Sequence, residues 1–159
     1  MHNHTFLFAA GQWYGEGKIS LSLVEEELHF TTNWNIATGE VPGRVQCSQE
    51  ISIQGVSDNM RNDLTFYDFH PKGFVVDMEN QNVGRIAGAG IVDEKTIAWE
   101  FRNPDANFEG YETYIRQDDG SYLMKGEYVT SDQFRTQIEA RLWPQKAPAQ
   151  QPEEPREDS

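Results

Sequence analysis

Apolar and polar residues alternate with a period of two along most of this chain, and no other feature constrains the fold as strongly. In residues 11 to 24, Trp13, Ile19 and Leu21 occupy odd positions, while the even positions are mostly polar. The pattern returns in residues 27 to 36 and 45 to 54. It recurs near 62–70, 73–79, 82–92, 95–102, 108–117, 121–130 and 134–143. Such alternation is typical of half-buried strands, so the sequence predicts about ten antiparallel strands joined by short links.

The predicted strands need a partner for their apolar faces, and no segment shows the period of an amphipathic helix that could cover them. Closing the sheet on itself buries every apolar face. We therefore predict an all-β fold, a single antiparallel up-and-down β-barrel of about ten strands. A sandwich of two sheets is the alternative. Glycines within the strands, such as Gly88 and Gly90, permit the bends that closure requires.

The length of 159 residues fits a single domain. We predict a short lead-in over residues 1–10, the barrel over 11–143, and a disordered tail rich in Pro and Glu over 144–159. The tail holds four of the seven prolines and no aromatic residue. His2 and His4 belong to the lead-in, which we expect to be mobile.

The charge balance narrows the choice of partners. Thirteen Lys and Arg against 26 Asp and Glu give a net charge of -13, which repels nucleic acid and anionic membranes. The apolar runs fall far short of the roughly 20 residues that a membrane-spanning helix needs. A single cysteine, Cys47, fits a reducing, cytoplasmic location. We expect no metal site, since no Cys, His or Asp residues have ligand spacing.

The densest mixture of aromatic and charged residues falls in 99–102 and 110–116, which we expect to form a hairpin. An even register would place five polar residues on one face: Glu100, Arg102, Glu112, Tyr114 and Arg116. The other face would then hold Ile97, Trp99, Phe101, Tyr111 and Ile115. The polar face is either an exterior ladder of Glu–Arg pairs or an interior site. In the second case Arg102, Arg116 and Tyr114 would hold a ligand carboxylate.

An interior lined by aromatic rings favours a flat or lipid-like ligand. We therefore predict a barrel that binds a small, mostly apolar or amphipathic molecule without chemistry. The predicted ligand-binding residues are Trp34, Phe66, Trp99, Phe101, Arg102 and Tyr114.

Two other functions stay open. One is a barrel isomerase, cyclase or lyase that uses His70 with Asp68, or Glu100 with Arg102, as its acid–base pair. The other is an acidic structural or interaction module whose barrel is filled by its own side chains.

The first predicted strand opens with Gly11-Gln12-Trp13, and this G-x-W resembles the signature of the calycin superfamily, the lipocalins and fatty-acid-binding proteins. The resemblance implies that Trp13 plugs the closed end of the barrel beneath an Arg from a late strand, either Arg141 or Arg116. The longer G-x-W-x-G-E-G, with residues 25–30 after it, is similar to the nitrobindin-type haem barrels. That family binds haem iron through a late His. Because no His follows His70, we expect no cofactor.

Overall fold

The computed structural model describes residues 4–22, 26–38, 41–81, 84–103, 108–130 and 135–145. The predicted tail after residue 145, and His2, lie outside these described residues. The strands are β1 Gly11–Leu21, β2 Glu27–Thr38, β3 Val45–Ile53, β4 Met60–His70, β5 Gly73–Asn80, β6 Gly84–Val92, β7 Thr96–Asn103, β8 Phe108–Arg116, β9 Tyr122–Thr130 and β10 Arg135–Gln145. The last strand thus runs two residues past the predicted boundary at 143.

Each strand pairs antiparallel with its neighbours in the chain, and β1 also pairs with β10. This closes the sheet into a barrel with up-and-down connectivity and confirms the predicted fold over the sandwich. Because the barrel is closed, each of the ten described strands pairs on both sides, so their backbone groups can be satisfied within the wall. In the described part of the chain, no helix is long and apolar enough to cross a membrane.

The alternation in sequence becomes the inside and outside of the wall. On β2, Phe30, Thr32, Trp34 and Ile36 are buried, whereas the residues between them are half-buried or exposed. The register aligns these inward positions from strand to strand, and it places Trp13 of β1 directly opposite Trp34. The interior is therefore built from one parity of each strand.

One half of the interior is packed with aromatic side chains. We call this group the ring cluster: Phe6, Trp13, Trp34, Trp99, Tyr114 and Tyr122, each at most 3% exposed. Tyr114 lies at its centre, with ring centroids 5.0 Å from Phe6, 6.2 Å from Trp34 and 4.9 Å from Trp99. Edge-to-face and stacked contacts of this kind add to the stabilisation from burial alone.

The lead-in before β1 plugs the end of the barrel that the ring cluster occupies. Phe6 is fully buried against Trp13 and Trp34. His4 is also buried, with Nε2 donating to the Asp93 carbonyl at 2.7 Å and Nδ1 2.6 Å from the Tyr122 hydroxyl. The expectation that His4 is mobile was therefore wrong. Phe6 and Leu7 are buried in the barrel, and Phe8 packs against its core. Burial of these apolar side chains holds His4 in place.

We expect Phe6→Ala to lower the free energy of unfolding by about 3–5 kcal/mol, as is usual when a buried Phe leaves a cavity. Tyr111→Ala is the matched control, because Tyr111 is 46% exposed on β8 and its truncation should cost far less. Urea unfolding of both variants measures the difference. Equal losses would contradict the packing of the lead-in described above.

Candidate functional site

The half of the barrel away from the lead-in encloses a cavity of about 410 Å³, within the range of small-molecule sites, roughly 300–1,000 Å³. Most of its wall is apolar: Ile19, Leu21, Leu28, Phe30, Trp34, Ile51, Ile53, Met60, Met78, Phe108, Met124, Ile138, Ala140 and Leu142. The polar positions are Thr32, Gln49, Asn62, Asn80, Glu112, Tyr114, Tyr128 and Thr136. The barrel is thus filled by its own side chains in one half only, which departs from the alternative of a barrel filled throughout.

Side-chain amides form a hydrogen-bonded chain across one side of the cavity, from β2 to β5. Gln49 Nε2 donates to Thr32 Oγ1 at 3.2 Å, and Asn62 Nδ2 donates to Gln49 Oε1 at 3.0 Å. Asn80 Nδ2 then donates to Asn62 Oδ1 at 2.9 Å. These side chains hydrogen-bond to one another inside the barrel, as buried polar groups usually do. Because all four are neutral, this wall is polar but uncharged.

Glu112 on β8 brings a carboxylate into the cavity wall. Tyr114 donates its hydroxyl to Glu112 Oε1 at 2.5 Å, and Tyr128 donates to Oε2. Two glycines make room for this group. Gly126 stands opposite Glu112, and a Cβ there would lie 3.3 Å from the Glu112 Cγ. Gly110 stands opposite Tyr128, whose ring covers the space that a side chain at 110 would occupy.

Burial sets the protonation behaviour of these three groups. It raises the pKa of Glu112, and the two phenol hydrogen bonds oppose that shift only in part. Burial also raises the pKa of Tyr114 and of Tyr128 well above the ordinary value, and the adjacent Glu112 charge reinforces it. Both phenols therefore keep their protons, and the carboxylate is the group whose charge can change.

The β7–β8 hairpin has a different register from the even one considered above. Trp99 stands opposite Glu112, and Ile97 opposite Tyr114. Glu112 and Tyr114 therefore face inward together with Trp99, while Tyr111 and Ile115 lie exposed on the outer wall. This register is favoured physically because it adds Tyr114 to the ring cluster.

The structure separates the predicted ligand-binding residues into three places. Trp34 and Tyr114 line the cavity. Phe66, Trp99 and Phe101 are buried in the packed core, and Arg102 is exposed on the outer wall.

The Trp99 indole N–H has no acceptor among the described residues, at a cost of about 1–3 kcal/mol. The stacking of Trp99 on Tyr114 offsets part of that cost.

Trp13 and Arg141 were predicted to close the barrel. Trp13 is buried among Phe6 and Tyr122, at the plugged end. Arg141 stands opposite Glu16, and its Nη1 donates to Ser121 Oγ at 3.0 Å and lies 3.8 Å from Asp119 Oδ2. The contribution of Arg141 to barrel closure stays a prediction.

The residues of the enzyme alternative do not meet in the cavity. Asp68, His70, Glu100 and Arg102 are all exposed outside it. The described histidines also do not suit the haem that the nitrobindin-type resemblance implies, because His4 is in the plug while His29 and His70 are exposed. No group of three or more His, Cys, Asp or Glu in the described ranges could hold a metal ion.

A solved structure with a similar fold is that of the S-type phycobiliprotein lyase CPES from Guillardia theta. The match has a TM-score of 0.64 and covers 87% of this chain and 89% of the lyase. The likeness is one of fold. At 9% sequence identity it carries no information on activity. No protein-family profile matches this sequence, and neither does any curated protein.

Glu112 was predicted to lie on a polar face of the hairpin, and it was not among the predicted site residues. The sequence feature that could have indicated Glu112 is the occurrence of small residues beside large ones in neighbouring strands. Gly110 and Gly126 lie within adjacent strands that also carry Glu112 and Tyr128. A glycine inside a strand often marks the place where a neighbouring group comes close.

We expect Glu112→Gln to remove the loss of folding stability that the ionisation of Glu112 causes as pH rises. Because the folded-state pKa of Glu112 is raised, the folded protein holds a proton that the unfolded chain releases, and stability falls as pH rises from the ordinary carboxyl pKa through the raised one. Glu109→Gln is the matched control on the exposed face of the same strand. The melting temperatures of Glu112→Gln and of the unmodified protein should converge at the low end of that pH window. At the high end, Glu112→Gln should have the higher melting temperature. Parallel curves for Glu112→Gln and the unmodified protein would contradict this.

Proposed function

We propose that this chain is a calycin-type barrel that binds a small, mostly apolar or amphipathic molecule in its interior cavity, without chemistry. The cavity itself carries the proposal. It has about 410 Å³ of space, an apolar wall and a few convergent polar groups, as small-molecule sites usually do. The G-x-W motif at Trp13 and the fold shared with the lyase support the calycin-type architecture, which is compatible with ligand binding.

The rigidity of the site also supports binding. Trp34 and Tyr114 line the cavity and belong to the ring cluster. Their positions are held by packing on the side away from the cavity, so a ligand would meet rings that are already ordered. A preformed site avoids most of the ordering cost that binding otherwise incurs.

The cavity can be tested with N-phenyl-1-naphthylamine, an uncharged probe whose fluorescence rises in apolar surroundings. We expect saturable binding at one site per chain. Ile138→Trp should weaken that binding about tenfold or more, a change worth about 1.4 kcal/mol, because the larger side chain extends from the wall into the cavity.

Ile91→Trp is the matched control, since Ile91 is 63% exposed on the outer wall of β6. It should leave probe binding unchanged. No saturable binding by the unmodified protein, or equal weakening in the two variants, would refute the proposal.

A further inference from the structure

The cavity has one formal charge on its wall. Among the described residues that line it, Glu112 is the sole acid and no Lys, Arg or His is present. A carboxylate removed from water without a cation is costly, and proteins ordinarily pair such a charge. The described residues supply two phenol donors to Glu112 but no positive charge at this wall.

The geometry around Glu112 suits the ionised form of the carboxylate. Tyr114 and Tyr128 donate to different oxygens, one each. A carboxylate has about four acceptor positions, so two hydrogen bonds leave room for donors from within the cavity. A protonated carboxyl would need an acceptor for its own proton, and one of the two phenols would have to turn.

The groups packed around Glu112 hold this arrangement in place. Tyr114 shares its strand and is fixed by stacking on Trp99. Tyr128 comes from β9, and its ring lies over Gly110 and stacks on Phe108 with centroids 5.3 Å apart. From β7 the facing residue is Trp99, which does not titrate. Within the described ranges, the titratable groups that face Glu112 are thus the two tyrosines.

We propose that Glu112 recognises a protonated nitrogen, so that the barrel selects amphipathic amines over alcohols and carboxylates of the same shape. The inference rests on the proposed function, because it assumes that the cavity binds a ligand. The apolar wall would hold the body of such a molecule, and the aromatic faces around the site also favour a cation. The overall charge of -13 attracts cations and repels anions as they approach the protein.

The test uses three ligands with one ring system: 2-naphthylmethylamine, 2-naphthalenemethanol and 2-naphthoate. Each competes with bound N-phenyl-1-naphthylamine at a pH where the amine is protonated. We expect the amine to bind about tenfold or more tightly than the alcohol, since hydrogen bonds between charged groups are stronger than those of a neutral hydroxyl. The carboxylate should bind more weakly than the alcohol.

Two variants then locate the selectivity. Glu112→Gln should bring the affinities of the amine and the alcohol together. Glu109→Gln makes the same change in net charge on the exposed face of β8 and should keep the amine preference. Probe binding by each variant shows that it is folded, and the ligand series on the unmodified protein needs no variant.

The outcomes separate this inference from the proposed function. If the alcohol displaces the probe as well as the amine does, the barrel binds ligands but Glu112 does not select a cation. If Glu112→Gln keeps the amine preference, the inference is also wrong. If neither the probe nor any of the three ligands binds, the proposed function fails, and the inference fails with it.

Discussion

The packing of Tyr114 against Phe6, Trp34 and Trp99 is the interaction on which the rest of the structure depends. It joins the lead-in, three strands and the cavity through one side chain that is 1% exposed. On one side its ring completes the packed half of the barrel. On the other its hydroxyl donates to Glu112 at the cavity wall. The division of the interior into a filled half and an open half follows from this placement.

The open half combines features that do not favour stability. Leaving about 410 Å³ unfilled gives up contacts that packed side chains would make, and a buried carboxylate adds a desolvation cost. Functional sites are where proteins usually break the rules of good packing and charge pairing. A ligand with an apolar body and a positive charge would relieve both costs at once. This is why the cavity and Glu112 are best understood together.

Much of the fold follows from the sequence because a period of two is strong evidence for strands. The ten strands, the closed barrel and the inward parity of strands such as β2 were predictable in this way. The site was not, since alternation gives the parity of a face but not its sign where both faces carry large residues. Tyr111 and Tyr114 illustrate this, because only the register shows that the second is inside. The buried position of His4 depends on contacts with Asp93 and Tyr122, far away in the chain, which no local pattern reveals.

The methionine methyl groups offer the most direct test of the central claim that a ligand occupies the open half of the barrel. Three of the four methionines, Met60, Met78 and Met124, line the cavity from three different strands. With ¹³C-methyl methionine labelling, their resonances can be followed while N-phenyl-1-naphthylamine is added. The account predicts that all three shift together and saturate at one probe per chain, because an aromatic probe in the cavity lies near each methyl group. Saturable binding that leaves Met78 and Met124 unshifted would place the probe elsewhere and contradict the account.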